Sequence, residues 1–574
     1  MTLVLLIVAP SAAALLFLLA GARLGRGPAG ALGTAALAFA FGIAMAVGQA
    51  FAAGKTSLLA EIGQWLPLRG AELALRVDPA AVPLLLTITG IGTLLALAAA
   101  TEDRGSAGIG RLLFALEALV GGALLVVTAR DLVLVLVGWG TVGLSTSLLL
   151  GHARHTAEGA IAGVRALVFA RASDVALLLG SLALLALFRT MDIAEISTRI
   201  TTAALAPAAD GSLLAASLLI VGAVLVRTAQ LPAHLWIVGE PRGPAAASAA
   251  VASIATLSGA ALLIRLAPAL HPAAFAAAAA IGAITAVAAM ACALANGSGR
   301  RGQAWTTVAQ LGTVVVVAAA DVMYAAILIA VATALARGAT LSTDEAVEAP
   351  SSGVLARVLA GIAAIAIFFT AGLLLGHDRA GLALPVLAAA VLASAQLGRI
   401  IRRGGRGDGG SRTGSGVLGR AHLLSYVAPT IAVVLAGSSL SFVALALSGS
   451  MSLGVPGVVV SLGPVGTIAI VVALIALGAG LRGVALPSGA VRWLRSARAT
   501  ELVYDRGVVA LFRMLAATID RGAEASIELA GAAVGIVLER TSVGLRTIGS
   551  GSVWRHEAIF VAATVAIALY WTLR

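Results

Sequence analysis

Arg227-Thr228-Ala229-Gln230-Leu231-Pro232-Ala233-His234-Leu235-Trp236 lies within a long apolar stretch of the chain. Pro232 lacks a backbone N–H and its ring collides with the preceding turn, so a helix passing through it must kink or break. In a bilayer, backbone groups freed by such a break are tolerated only where protein or a water-filled cavity surrounds them. A charge beside the break, Arg227, fits the lining of such a cavity. The alternative is structural, with the guanidinium snorkelling or capping the freed carbonyls. His234 carries an imidazole that titrates near neutral pH in water, though a lone histidine is also often a satisfied structural residue.

The apolar character continues on both sides of this segment. Of 574 residues, 60% are hydrophobic and 11% charged, and the mean hydropathy is +1.05. A soluble chain carries about a quarter of its residues as charges, so a soluble enzyme is excluded and an all-α polytopic membrane protein is expected. Abundant glycine (66 residues) and few aromatics (4%) suit close helix packing in lipid. The single cysteine, Cys292, excludes a disulfide scaffold and any iron–sulfur cluster or Cys-ligated zinc held by this chain alone.

A span needs roughly 20 apolar residues. About sixteen segments qualify, near 2–21, 30–53, 79–100, 110–129, 131–150, 163–188, 213–230, 245–266, 272–296, 303–320, 322–341, 355–376, 380–398, 424–447, 456–481 and 557–573. The first is read as a span, not a cleavable signal, because it lacks a basic leading region. With the N-terminus outside, the inward loops hold Arg23 and Arg26, Arg154 and Arg165, Arg300 and Arg301, and the run from Arg399 to Arg420. The net charge of +12 is thus mostly topology, and no basic domain stands clear of the membrane to bind nucleic acid. The organisation expected is N-terminal spans over 1–109, repeats over 110–266 and 272–398, a flexible cytoplasmic loop over 399–423, more spans over 424–489 and a last span within 551–574. Residues 490–550 alternate charged and apolar residues at helical spacing, as an amphipathic helix along the membrane surface or against a partner would.

Charges inside spans are expensive and therefore functional candidates. They are Glu117, Arg171, Asp174, Arg227, Arg265 and Arg337, with Asp131 and Asp321 near span ends. Arg171 and Asp174, three apart, share a helix face and can pair, as a structural ion pair or as part of a polar path. A Gly-rich dinucleotide motif and a metal-ligand cluster are both missing, so no cofactor and no metal is expected in this chain.

Several motifs resemble those of one membrane family. Val137-Gly138-Trp139-Gly140-Thr141-Val142-Gly143-Leu144-Ser145 is similar to a Gly-Trp-Glu-x-x-Gly-Leu-Ser motif, and Arg171-Ala172-Ser173-Asp174 to Arg-x-Gly-Asp. Arg227 to Trp236 resembles Lys-Ser-Ala-Gln-Phe-Pro-x-His-x-Trp, and Trp305-Thr306-Thr307 with Gln310-Leu311-Gly312 resembles Tyr-Ser-Thr-x-x-Gln-Leu-Gly. In this order they resemble the antiporter-like membrane subunits of respiratory complex I, above all subunit L (chain 5), and the related Mrp antiporter subunits. Tyr504-Asp505 and the segment from Gly551 to Leu569 look like the subunit L end, where a lateral helix precedes a last span. The resemblance implies two inverted five-helix repeats, each with a discontinuous helix, and a central polar axis of a glutamate and lysines along which protons pass.

Laid over this chain, the family's key glutamate falls on Gly140, and its lysines on Arg227, Arg337 and Ala371. Its histidines fall near Ala252 and Thr333, and the second broken helix, near 361–372, has no proline. Lys55 is the only lysine against 37 arginines, and it lies outside every expected span. Lysine can be pushed to titrate by desolvation, whereas arginine keeps its proton. Glu117, one helix before Gly140, is the candidate replacement for the missing carboxylate or else a protonated structural acid. The resemblance implies a subunit of a complex I-like assembly in a cell (inner or cytoplasmic) membrane, translocating protons with conduction reduced or rerouted. Two alternatives stand beside it. One is a non-conducting scaffold or gating subunit for a partner enzyme or inorganic-carbon uptake complex, and the other an anion transporter using Arg227 and Arg337. The expected partners are the bilayer, other membrane subunits contacting 490–550, and protons or an anion.

Overall fold

The computed structural model describes residues 2–319, with gaps at 22, 65, 68, 102–107, 203–206, 239–243 and 297–299, and isolated positions beyond. The chain divides into two compact units, Met1–Ser496 and Ala497–Arg574, and the account below concerns the first. Arg337, Ala371, Asp321, the second broken helix, the loop 399–423, the lateral helix 490–550 and the last span lie outside the described residues.

Helices α1 (Thr2–Ala20) and α2 (Arg26–Ala52) lead into an antiparallel hairpin, β1 (Leu58–Gln64) and β2 (Glu72–Val77). Then follow α3 (Val82–Thr101), α4 (Ile109–Thr128), α5 (Leu132–Leu150), α6 (Ala157–Phe188), the short α7 (Ile193–Thr202) and α8 (Pro207–Arg227). After α8 come a single turn α9 (Leu235–Val238), then α10 (Ala245–Ala250), a π turn (Val251–Ala255) and α11 (Thr256–Leu266) as one rod. Helices α12 (Pro272–Asn296) and α13 (Arg300–Ala319) pair closely with each other. Among the described residues nine segments are long and apolar enough to cross a membrane, which makes the chain a multi-pass membrane protein. They match the first nine spans read from the sequence to within a few residues, apart from an earlier start for α2, α6 and α8.

Local chemistry sets the ends. Asp131 caps α5, its Oδ1 accepting from the Val133 and Leu134 amides at 2.8 and 3.0 Å, which satisfies two of the orphan donors of the first turn. Thr156 caps α6 by accepting from Gly159 N at 3.1 Å. Close crossings rest on glycine: a Cβ added at Gly138 would lie 2.7 Å from the Gly122 carbonyl, and one at Gly312 would lie 2.7 Å from the Gly282 carbonyl. Any side chain there would force α4 from α5, or α12 from α13.

The hairpin was not foreseen, because residues 54–78 were read as connection. It closes one end of the bundle together with α7. Arg130 N donates to Ala74 O at 3.1 Å, Leu132 N to Met191 O at 3.0 Å and Met191 N to Arg69 O at 3.0 Å. The Arg130 guanidinium then clamps Asp192, Glu61 and Glu72 at 2.6, 2.7 and 3.4 Å. The basic loops gather at the opposite end, where Arg26 Nε donates to Ala100 O at 3.2 Å and Arg111 Nη2 to His152 O at 3.1 Å. Arg265, counted above as an intramembrane charge, has a structural task. From α11 its guanidinium reaches the C-terminal carbonyls of α4, donating from Nη1 to Val126 O and from Nη2 to Ala129 O, acceptors that no intrahelical amide can satisfy.

Candidate functional site: a buried arginine at a broken helix

Helix α8 ends at Arg227, and the chain beyond it does not continue the helix. Thr228 N still reaches Val224 O at 2.8 Å and Gln230 N reaches Leu225 O at 2.9 Å. Ala229 then takes a positive φ of 53°, and a cis Leu231–Pro232 bond follows. Freed groups find side-chain partners: Leu231 N donates to Thr285 Oγ1 at 3.1 Å, and Gln230 Nε2 to Thr228 O at 2.8 Å. The break expected at Pro232 is therefore present, with Arg227 on its α8 side and His234 on its α9 side.

Arg227 is 3% exposed. Its Nη2 donates to the Trp139 carbonyl at 3.0 Å and pairs with Asp174 Oδ1 at 3.2 Å. The guanidinium carbon lies 4.5 Å from the Trp139 ring centroid, a cation–π contact. Trp139 is held in turn by its Nε1 donating to Ser173 Oγ at 3.0 Å, while Ser173 Oγ donates to Ala223 O at 2.8 Å. Two glycines make room for the arginine. A Cβ at Gly143 would sit 3.0 Å from Nη1, and one at Gly259 would sit 3.1 Å from the arginine Cγ. Asp174 also pairs with Arg171 Nη2 at 2.7 Å, as the three-residue spacing suggested. The Arg171 side chain is 52% exposed on the outer face of α6, and its Nη2 reaches the Gly140 carbonyl at 3.3 Å. Helices α5, α6 and α8 thus bring together Arg171, Asp174, Arg227 and the position Gly140. The spacing of Arg171 and Asp174 gave one ion pair, but the stronger-buried one, Arg227 with Asp174, joins residues 53 apart and had no local signal.

At Gly140, the position onto which the resemblance lays a glutamate, a Cβ would meet nothing within 4 Å. On the other side of the break, His234 is fully buried, with Nδ1 3.2 Å from Pro232 O and its ring 4.8 Å from that of Trp305. His234 Nε2, Trp305 Nε1, Gln230 Oε1 and Arg227 Nε are all buried without a hydrogen-bond partner. Unpaired polar atoms gathered in one region are the usual signature of a place that holds water or a small polar ligand. A small pocket between Thr146, Phe169, Ser173, Val226, Arg227 and Trp236 opens at the arginine. Ala252, near which the resemblance lays a histidine, falls inside the π turn, an element common at working positions. Thr333 is buried.

Glu117 does not join this group. It is fully buried on α4, where Gly122 packs against α5. Glu117 lies about 140° around the helix from that contact at 100° per residue. There it faces α2, where a Cβ added at Gly33 would lie 3.3 Å from Oε1. Among the described residues no cluster of histidine, cysteine, aspartate or glutamate could hold a metal.

Residues 129–342 match the family described as "NADH:quinone oxidoreductase/Mrp antiporter, TM". The chain is 28% identical over 297 residues to NADH-quinone oxidoreductase subunit L of Mycobacterium tuberculosis, covering 50% of this chain and 46% of that one. Over 242 residues it is 28% identical to the same subunit of Escherichia coli, covering 41% and 38%. The chain therefore spans about half the length, or less, of the curated relatives it matches. A chain in the Mrp complex of a Dietzia species superposes with a TM-score of 0.71 at 21% identity, over 100% of this chain and 63% of that one. A chain of respiratory complex I from Thermus thermophilus gives 0.60 at 19% identity, over 78% and 100%. These structural likenesses show the fold. The sequence matches agree with the resemblance read from the motifs: the chain is similar, over residues 129–342 in sequence and more widely in fold, to antiporter-like membrane subunits of the complex I and Mrp type.

Proposed function

We propose that this chain serves as a membrane subunit of a multi-subunit, complex I-like assembly in a cell membrane, and that its first repeat holds a fixed charge where its relatives hold a titrating one. The observation that carries this reading is the Arg227 site. The guanidinium is buried and engaged by Asp174 and the Trp139 carbonyl, and the carboxylate position opposite is glycine. Arginine keeps its proton, so this pair orders water and sets a local field without exchanging protons at Arg227 itself. Asp174 is held by two guanidinium groups, so neither partner of the pair serves as a proton-exchanging group in this half. Conduction in the first repeat is expected to be low, and the coupled flux of the assembly to be rerouted. The cytoplasmic-membrane location and an N-terminus on the outer side belong to the same reading, supported by the basic loops gathering at one end of the bundle.

The test is proton flux in proteoliposomes holding the chain with its co-purified partners. Asp174→Asn and Arg227→Ala are expected to change the small flux by less than about threefold, while the double change Gly140→Glu with Arg227→Lys is expected to raise it. A large wild-type flux that Asp174→Asn or Arg227→Ala abolishes defeats the proposal. One observation favours a second reading: Arg227 Nε is buried and unpaired beside the pocket, as an anion site would require. Saturable bicarbonate or chloride uptake, lost in Arg227→Ala, would establish that reading instead.

A further inference from the structure

Glu117 stands in a different layer of the bundle. Helix α4 begins at Ile109, so Glu117 lies about 12 Å along its axis at 1.5 Å per residue, well inside the span. Its side chain is fully buried and neither carboxyl oxygen has a hydrogen-bond partner. It lies against α2 where Gly33 leaves room, with Leu113 as the other near neighbour of that position. Thr34 on α2 has a buried hydroxyl that is likewise unpaired. One turn further along α4, a Cβ at Gly121 would meet Ser11 Oγ of α1 at 3.0 Å. A stripe of small residues would mean only close packing, but here an unpaired buried acid points into it.

No described positive charge answers Glu117. Helices α1, α3 and α5 carry no charged residue, and α2 carries only Arg26, whose Nε donates to Ala100 O. On α4 itself Arg111 is turned to His152 O, and Arg265 of α11 is spent on Val126 O and Ala129 O. On β2, Glu72 pairs with Arg130 and Arg76 is exposed, both beyond the far end of α4. An uncompensated carboxylate in such a place is far costlier than the neutral acid. Asp174 is the contrasting case, since two guanidinium groups hold it. Helix α2, against which Glu117 lies, reaches the outer surface: Leu32, beside Gly33, is 37% exposed.

We propose that Glu117 is a proton-binding site in its own right, a neutral carboxylic acid between α2 and α4 that is separate from the Arg227–Asp174 pair and open to modification by a membrane-soluble carbodiimide. Such reagents need the acid form. The acid's proton passes to one carbodiimide nitrogen, the carboxyl oxygen bonds to the central carbon, and one C=N bond becomes single. The O-acylisourea so formed rearranges to an N-acylurea with no atom lost. This assignment does not depend on whether the Arg227 site conducts.

The test uses the full chain in proteoliposomes with dicyclohexylcarbodiimide, the adducts being located by mass spectrometry. The expected result is one adduct on Glu117, more than tenfold above that on Asp174, falling as pH rises and unchanged in Arg227→Lys. Glu117→Gln should remove the adduct and keep the melting temperature within about 2 °C of wild type. No adduct at Glu117 overturns the proposal, as does equal labelling of Asp174 or loss of the adduct in Arg227→Lys. Protection by sodium ions would make the site a sodium site and overturn the proton assignment. A large fall in melting temperature in Glu117→Gln would show a carboxyl that is charged or bonded, with the same consequence.

Discussion

Asp174→Asn tests the central ion pair most directly, because it removes one charge and nearly preserves shape. Taking away one partner of a buried pair costs about 3–5 kcal/mol, since the other charge is left uncompensated. Two features move this site to the low end. Arg227 keeps the Trp139 carbonyl at 3.0 Å and the Trp139 ring at 4.5 Å, and the Asp174 side chain is 18% exposed. The second pair lost, with Arg171, involves a side chain 52% exposed and contributes about 0–1 kcal/mol. The expected cost is therefore about 3 kcal/mol. Replacing both charges, Asp174→Asn with Arg227→Met, should cost less than the sum of the singles by about 2–3 kcal/mol, because a neutral pair leaves no buried charge behind. The assay is a double-mutant cycle on reversible unfolding in detergent micelles, with Arg171→Ala as the half-exposed comparison at about 1 kcal/mol or less. A coupling below about 0.5 kcal/mol, the usual error of additivity, would refute the claim that Asp174 compensates Arg227.

Gly143→Val places a branched side chain where a Cβ alone meets Ala170 Cβ at 2.9 Å and Arg227 Nη1 at 3.0 Å. Overpacking of about 1–3 kcal/mol is expected, read as a lower midpoint in the same unfolding assay. Arg265→Met strands the Val126 and Ala129 carbonyls and should cost about 1–3 kcal/mol. Faster hydrogen exchange in the last turn of α4 would report it locally. Asp131 gives a pH dependence: burial pushes its carboxyl up to about 6, against the pull of the two amides it caps. A raised folded-state value means the fold binds the proton more tightly than the unfolded chain, so stability falls as pH rises toward about 6 and is level above it. Asp131→Asn should flatten this slope in melting temperatures taken from pH 4 to pH 8; an unchanged slope would assign it to other groups.

The spans were legible because each is a long apolar run, and length against bilayer thickness is a one-dimensional question. The break at Pro232 and the pairing of Arg171 with Asp174 were legible for the same reason, being local chemistry. The direction a side chain faces was not. A helix apolar on all sides has no polar face to mark its outside, so nothing in the order of residues told whether Glu117 looks toward Gly140 or toward Gly33. The approach of Arg227 to Asp174 depends on how α6, α5 and α8 cross, with glycines at 143 and 259 making the space. The hairpin does carry a sequence signal: in Glu72-Leu73-Ala74-Leu75-Arg76-Val77 the larger apolar residues recur with period two, and Leu75 and Val77 of that set are buried.

The space around Arg227 also bears on how such a site can change over time. Gly143 and Gly259 fit the width of a guanidinium, and its Nη2 serves two acceptors on different helices. Lysine there would be narrower and end in a single ammonium, and with Gly140 still in place it would find no second carboxylate to share a proton with. Of the double change Gly140→Glu with Arg227→Lys, the lysine alone is thus expected to gain nothing, and the two replacements have to arrive together.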